Sequence, residues 1–175
     1  MKRRGQVWIE SVIYTLIGLA IIGLVLAIVM PKINQKRDET HVQNSIGSLE
    51  DIGDMVYGVQ GSIGNRRKVE VEVTKGKMLI DMDADKISWV IPVSYKYSEE
   101  NLNISRGEID IITTKADPWQ VEISMSYLVD LQYEGQIEGV KEFSVAPQPY
   151  VFLLENVGIG ALGELTVAIN EEGSY

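Results

Sequence analysis

A long run of apolar residues near the amino end limits what this chain can be. The twenty residues from Ser11 to Met30 carry no formal charge, and the only charge among the apolar residues just before them is Glu10. A helix rises about 1.5 Å per residue, so roughly 20 residues cross the roughly 30 Å hydrocarbon core of a bilayer. A lone segment in lipid must be helical, because only a helix pairs its own backbone groups. The run therefore predicts one membrane-spanning helix.

Charge is divided sharply between this segment and the rest of the chain. Residues 1–37 hold six Lys and Arg and one acid, a net charge of +5, whereas the remainder holds ten bases and twenty-four acids, a net charge of −14. An acidic domain of this kind disfavours nucleic acid and anionic lipid as partners. The chain has no cysteine, which excludes disulfides, thiol catalysis and Cys-based metal sites.

Three interpretations compete for the amino end. A secretory signal peptide has a shorter apolar core, of about 7–15 residues, and Met30-Pro31-Lys32 is a poor cleavage site. An uncleaved signal anchor fits better. In the third interpretation a peptidase cuts after Gly5, so that Gln6 becomes the first residue and Glu10 the fifth. The basic cluster ahead of that bond is Lys2, Arg3 and Arg4.

These residues resemble the class III signal peptide of type IV pilins, in particular that of archaeal pilin-like proteins of the pilin and archaellin superfamily. The resemblance covers about 30 of the 175 residues. It implies cleavage between Gly5 and Gln6 by a prepilin peptidase, and two further partners, a platform membrane protein and an assembly ATPase. Gln6 departs from the phenylalanine that begins many bacterial pilins, which favours the archaeal branch.

One acid and several small residues are the candidate subunit contacts. An acid close to the hydrocarbon costs a few kcal/mol and is a functional candidate. The free amine of Gln6 on a neighbouring subunit could pair with Glu10; the alternative is that Glu10 is solvated among lipid headgroups near Trp8. Small side chains let helices approach closely. The predicted assembly residues are Glu10, Ser11, Thr15, Gly18, Gly23 and Ala27.

The helix is expected to continue beyond the membrane. Pro31 kinks a helix without having to end it, and a polar neck follows. From Val42 to Val59 the apolar residues recur at spacings of 3 and 4, which predicts one buried helical face. The alternative is a membrane helix, a polar linker and a separate short helix.

Beyond Arg67 the apolar period changes to 2, which predicts strands. Val69–Val73 and Met78–Met82 are expected to form a hairpin around Gly76, and 120–133 is expected to be one strand. The predicted class is α+β: a long helix, first transmembrane and then amphipathic, followed by an antiparallel β-sandwich or small β-barrel of seven to nine strands. The predicted divisions are a leader (1–5), an apolar helix (6–30), an amphipathic continuation and neck (31–65) and a β domain (66–175).

Few residues of the β domain point to chemistry. Asp81-x-Asp83-x-Asp85 resembles the start of a calcium loop but lacks the Gly and Glu of an EF-hand, so a solvated turn is expected and no metal. Asn103-Ile104-Ser105 is a sequon, which makes Asn103 a candidate N-glycosylation site. His41 is expected at the surface. Trp89 and Trp119 are expected in the core, and neither a cofactor nor enzyme activity is predicted.

The sequence thus predicts a structural subunit of an archaeal type IV pilus-like filament. The precursor would cross the cell membrane once with its carboxyl end outside. Copies of the chain would then assemble through the apolar helix into a surface filament, and the β domain would serve subunit contacts or adhesion. The alternative is an uncleaved, single-pass envelope binding or scaffold protein, or a stator-like minor pilin.

Overall fold

A computed structural model describes residues 3–160 and 163–172, with side chains from Trp8 onward. It divides into two compact units, Met1–Arg37 and Asp38–Tyr175. The first element, α1 (Arg3–Val59), contains Pro31 as a helical residue, so the proline does not end the helix. This helix is long and apolar enough to cross a membrane.

The part of α1 that belongs to the second unit packs one face into the β domain. Six apolar side chains on that face are at most 3% exposed: Val42, Ile46, Leu49, Ile52, Val56 and Val59. Their spacing keeps them in one stripe, since residues three and four apart lie on the same side of a helix. The amphipathic continuation predicted from the sequence is confirmed, and the helix is part of the core of the domain.

Within the described residues, ten strands form two sheets that enclose this core with the helix. They are β1 (Arg66–Val71), β2 (Lys77–Asp81), β3 (Lys86–Val93), β4 (Asn103–Arg106), β5 (Ile109–Thr114), β6 (Trp119–Ser126), β7 (Asp130–Tyr133), β8 (Val140–Ser144), β9 (Tyr150–Ile159) and β10 (Leu165–Glu171). The orders are β1-β9-β10-β7 and β4-β5-β6-β3-β2-β8. Ile52 and residues of both sheets line one small internal cavity, so all three elements meet in a single core.

The α+β class is confirmed, with one difference in strand direction. The six-stranded sheet is antiparallel throughout. The four-stranded sheet is mixed, because β10 pairs parallel to β7, with Val167 opposite Leu131. Parallel neighbours cannot be joined by a tight hairpin, and here β8 and β9 lie between them in the chain.

The predicted hairpin between Val69–Val73 and Met78–Met82 is wrong. β1 pairs with β9, whereas β2 pairs with β3 and β8, so the two segments lie in different sheets. Gly76 is required for another reason: its φ is +74°, and a Cβ there would lie 2.1 Å from the Val90 carbonyl oxygen. The glycine allows a close approach to β3 and does not close a two-residue hairpin.

The expected single strand over 120–133 is also wrong, since β6 and β7 belong to different sheets. Every second side chain from Val121 to Tyr133 is nevertheless buried, and the residues between them are more exposed except for Asp130, which is also buried. Both sheets face the same core, so the chain changes sheets between Ser126 and Asp130 while keeping its inward face. An inward side chain at every second position therefore does not reveal that the chain passes from one sheet to the other.

We expect Leu49→Ala to lower the free energy of unfolding by about 2–5 kcal/mol, because it leaves a cavity at a side chain that is 0% exposed. Denaturant unfolding of the full chain in detergent micelles measures this loss. Asp51→Ala, on the exposed side of the same helix, should change stability by no more than about 0.5 kcal/mol. Equal losses in the two variants would contradict the packing described here.

Candidate functional site

Among the described residues of the first unit, nothing covers the apolar segment of α1. No described residue from Trp8 to Met30 is buried, and large side chains such as Leu19 (67% exposed) and Leu24 (65%) are open to their surroundings. Burying one such side chain is favourable by about 1.5–3 kcal/mol. The segment therefore requires an apolar environment, supplied either by lipid or by other protein chains.

The small residues that were predicted to mediate assembly lie on two faces of this segment. At about 100° per residue, Ser11, Thr15 and Gly18 share one face, and Gly23 and Ala27 lie roughly 130° around the helix from it. A Cβ added at Gly18 or Gly23 would meet no atom within 4 Å. Both faces are thus open among the described residues, and a helix with two small-residue faces can be approached closely by two other helices.

A shallow depression marks the first of these faces. It is lined by Trp8, Ser11, Val12, Thr15 and Leu16. The Thr15 hydroxyl donates a hydrogen bond to the Ser11 carbonyl oxygen at 2.8 Å. That bond satisfies the hydroxyl within the helix, so Thr15 can enter an apolar environment without a partner from another chain.

The charged residues of the amino end are described only in part. Glu10 is exposed on the helix. Lys2 lies outside the described residues, and Arg3, Arg4, Gly5 and Gln6 belong to α1 but their side chains also lie outside them. The cleavage between Gly5 and Gln6, and the pairing of Glu10, stay predictions.

A buried acid stands at the first position of the second unit. Asp38 is 5% exposed, accepts a hydrogen bond from the Ser94 backbone N–H at 2.7 Å and is bonded to the Lys75 ammonium group. Burial by itself raises the pKa of Asp38, but the bonds from Lys75 and Ser94 outweigh burial and leave the pKa below its ordinary value. Asp38 therefore fastens the start of this helical half to the segments flanking β2 and β3.

Sequence reasoning missed this role of Asp38. The residue lies in a run of polar side chains that looks like an exposed neck, and no local pattern distinguishes it from its neighbour Glu39. His41 differs from expectation in a similar way: it is half-buried, and a 3.0 Å hydrogen bond joins its Nδ1 to Thr74 Oγ1. Both contacts depend on a loop more than thirty residues further along the chain.

Each of the three aspartates at the end of β2 and in the turn after it accepts hydrogen bonds from backbone N–H groups. Asp81 accepts hydrogen bonds from the N–H groups of residues 83 and 84, Asp83 from that of Gly139, and Asp85 from that of Leu131. Among the described residues, no group of three or more possible ligand side chains is placed to hold a metal ion. The carboxylates act as structural caps in this arrangement.

Two sequon residues lie on an edge strand. Asn103 is exposed at the start of β4, which lies at the edge of the six-stranded sheet beside β5. The Ser105 hydroxyl donates to the Asp110 carboxylate at 2.6 Å. Asn103 is thus accessible, while the hydroxyl of the same sequon is engaged with the neighbouring strand.

The two tryptophans expected in the core are found there. Trp89 is fully buried, and Trp119 is partly buried and packs against the core.

We expect Asp38→Asn to destabilise the β domain by about 1–3 kcal/mol at neutral pH, because a buried charge-assisted contact is lost. Since folding lowers the pKa of Asp38, its contribution is full above the ordinary carboxyl pKa of about 4 and is lost as the pH falls through the lower pKa of the folded state. Unfolding of the full chain at a series of pH values measures both effects.

The matched control is Glu142→Gln, which removes an exposed pair with Lys77 whose side chains are 50% and 43% exposed. It should cost no more than about 1 kcal/mol. An advantage of the wild-type over Asp38→Asn that did not shrink on acidification would contradict the assignment.

No protein-family model, no curated protein and no solved structure matches this chain. Any function assigned to it therefore rests on its own residues and their geometry.

Proposed function

We propose that this chain is a subunit of a pilin-like surface filament, made as a membrane precursor and assembled through the apolar part of α1. One observation carries the proposal. A single helix buries six apolar side chains in its own β domain after Asp38, yet leaves every described residue from Trp8 to Met30 without cover. An arrangement of this kind suits a helix that exchanges lipid for copies of itself.

The exchange needs a driving force other than the hydrophobic effect, because lipid is as apolar as a neighbouring helix. Close packing at the two small-residue faces supplies one contribution. An ion pair between the Glu10 carboxylate and the amine of Gln6 on a neighbouring subunit supplies another contribution, because an acid near hydrocarbon is costly when it has no partner. Both contributions appear only when chains assemble.

In this proposal the acidic β domain lies outside the cell and faces solvent between subunits. The exposed cations Lys32, Lys36 and Arg37 follow the apolar stretch directly and would lie among headgroups before assembly. Asn103, exposed at an edge, would be the site of glycan attachment. The family resemblance adds a prepilin peptidase, a platform protein and an assembly ATPase as partners.

The first test is the amino terminus of the protein recovered from cells. We expect intact-mass and peptide analysis to find Gln6 as the first residue, because the bond after Gly5 follows a basic cluster and precedes the apolar helix. Gly5→Leu should leave the leader attached, whereas Gly5→Ala should be processed, since leaders of the resembling family end in Gly or Ala. Recovery of the wild-type with Met1 intact would favour the uncleaved single-pass anchor instead.

The second test concerns Glu10. Glu10→Gln keeps the size of the side chain and removes its charge, so it should lower the yield of sedimentable filaments at least about tenfold, the factor that corresponds to 1.4 kcal/mol. Glu10→Asp keeps the charge and should retain more assembly than Glu10→Gln. Equal yields from the wild-type and Glu10→Gln would remove the pairing role, provided membrane levels of the precursors are the same.

A further inference from the structure

A narrow groove lies on the β domain between α1 and the turn that joins β4 to β5. One wall carries Glu50, Asp54 and Tyr57, which recur at helical spacing on one face of α1, and the other carries Arg106 and Glu108. Its volume is about 150 Å³, well below the roughly 300–1,000 Å³ of pockets that take drug-sized molecules. The groove lies wholly within the second unit, and its size suits a ligand of about one ring.

The floor of the groove is apolar, and a contact joins the two walls. Ile109 and Met125 line the floor and are buried. At Gly53 the helix comes close to the Met125 sulfur, since a Cβ added there would lie 2.8 Å from that atom. Tyr57 donates a 2.7 Å hydrogen bond to the Glu108 carboxylate on the opposite wall. These contacts fix the walls and the floor without a ligand, so the groove is preformed.

The polar groups above the floor include both donors and acceptors of hydrogen bonds. Glu50 and Asp54 are exposed carboxylates with no hydrogen bond or ion pair to another described residue. Arg106 donates one hydrogen bond to the Gln43 side-chain oxygen at 3.3 Å, and the other N–H groups of its guanidinium have no partner within the described part of the chain. The groove therefore presents two free acceptors and a free donor side by side.

A buried hydroxyl without a partner lies close to the same walls. Tyr127 is 6% exposed, and its hydroxyl makes no hydrogen bond to any described residue. The centroid of its ring lies 6.2 Å from that of Tyr57. Burial raises the pKa of Tyr127 well above its ordinary value, and the nearby Tyr57 and Glu108 raise it further, so the hydroxyl keeps its proton. A buried hydroxyl that makes no hydrogen bond costs free energy, which a ligand group that reached it would recover.

This combination of groups indicates a class of ligand. Carboxylates only accept hydrogen bonds and a guanidinium only donates them, whereas a hydroxyl does both. A cationic ligand would be repelled by Arg106 and could not accept its hydrogen bonds, and an anionic ligand would be repelled by Glu50 and Asp54. A neutral molecule with several hydroxyls can bond to all three side chains, and the C–H face of a sugar ring can cover the apolar floor.

We propose that this groove binds one monosaccharide unit of a glycan, whose ring hydroxyls donate to Glu50 and Asp54 and accept from Arg106. The glycan belongs to another molecule. Asn103 and Arg106 are three residues apart on β4, so their side chains lie on opposite faces of the strand, and a glycan on Asn103 of the same chain would point away from the groove. Binding of this kind needs only the folded β domain, goes beyond assembly, and would give that domain an adhesive function.

Ligand-observed NMR on the full chain tests the proposal. The protein is kept in a detergent without sugar headgroups, because an alkyl glycoside would compete for the groove. The probes are the methyl pyranosides of glucose, mannose, galactose and N-acetylglucosamine, titrated through the millimolar range. We expect saturation transfer from the protein to at least one of them. Saturation transfer to none of the four would overturn the proposal.

A pair of matched variants locates the binding. Asp54→Ala removes an acceptor that has no partner in the folded chain, so it should weaken sugar binding about tenfold, the factor that corresponds to 1.4 kcal/mol. Asp51→Ala removes the same charge at an exposed position of the same helix outside the groove, and it should bind like the wild-type. The two variants should have the same unfolding midpoint. Equal affinity of Asp54→Ala and the wild-type would overturn the assignment to this groove.

Two further arms separate the alternative occupants. Butylammonium carries a cation on an apolar stem, and saturation transfer to it but to none of the sugars would overturn the proposal in favour of a cation site. Asn103→Gln removes the sequon from every copy and should leave the affinity unchanged. Tighter sugar binding by Asn103→Gln would overturn the foreign source in favour of the glycan of a neighbouring copy.

The groove and the filament fail in different ways. Asp54→Ala should give as many sedimentable filaments as the wild-type, because the groove takes no part in the helix contacts. Glu10→Gln should bind the sugars as the wild-type does, because the β domain is intact in it. Loss of sugar binding with normal filaments would overturn this inference alone, whereas normal sugar binding without filaments would overturn only the proposed assembly.

Discussion

The structure depends on one long helix that is buried along only part of its length. From Val42 to Val59 its apolar stripe is sealed by two sheets, and those six side chains are part of the same core as Trp89 and Phe152. Before Asp38 no described side chain of the helix is buried, and a long apolar surface is left open. Because an apolar helix surface of this size is not stable in water, the chain needs lipid or other chains to complete it. A membrane meets that need, and so does the assembly proposed above.

Charge reinforces the division made by packing. The β domain satisfies most of its own cations with its own acids and keeps a surplus of acids, which maintains solubility and repels anionic surfaces. The amino-terminal unit carries a surplus of cations, three of which lie in the leader that the proposed cleavage removes. Because every copy carries the same surplus of acids, like surfaces of two β domains repel each other.

Local periodicity was sufficient to predict the elements but not their partners. The apolar run, the stripe from Val42 to Val59 and most strands are visible in the sequence, because burial on one face imposes a period of 3.6 or 2. Pairing depends on residues far apart: Arg66 meets Glu155 across β1 and β9 at 2.9 Å, and nothing near either residue indicates the other. The contacts of Asp38 could not be predicted for the same reason, because its partners Lys75 and Ser94 lie 37 and 56 residues away. The apolar surface of the candidate site was predictable, whereas the contacts of Asp38 required the fold.

The boundary between the two units also explains how one helix can serve two environments. No described side chain before Val42 belongs to the apolar core of the β domain, and the first residue of that unit, Asp38, is fastened by bonds from Lys75 and the Ser94 backbone. A change in what surrounds the apolar segment therefore removes no packing from the domain, and the ion pair holds the domain end of the helix in place. A subunit that leaves lipid for a bundle of helices needs this independence, since its folded domain must stay intact during the transfer.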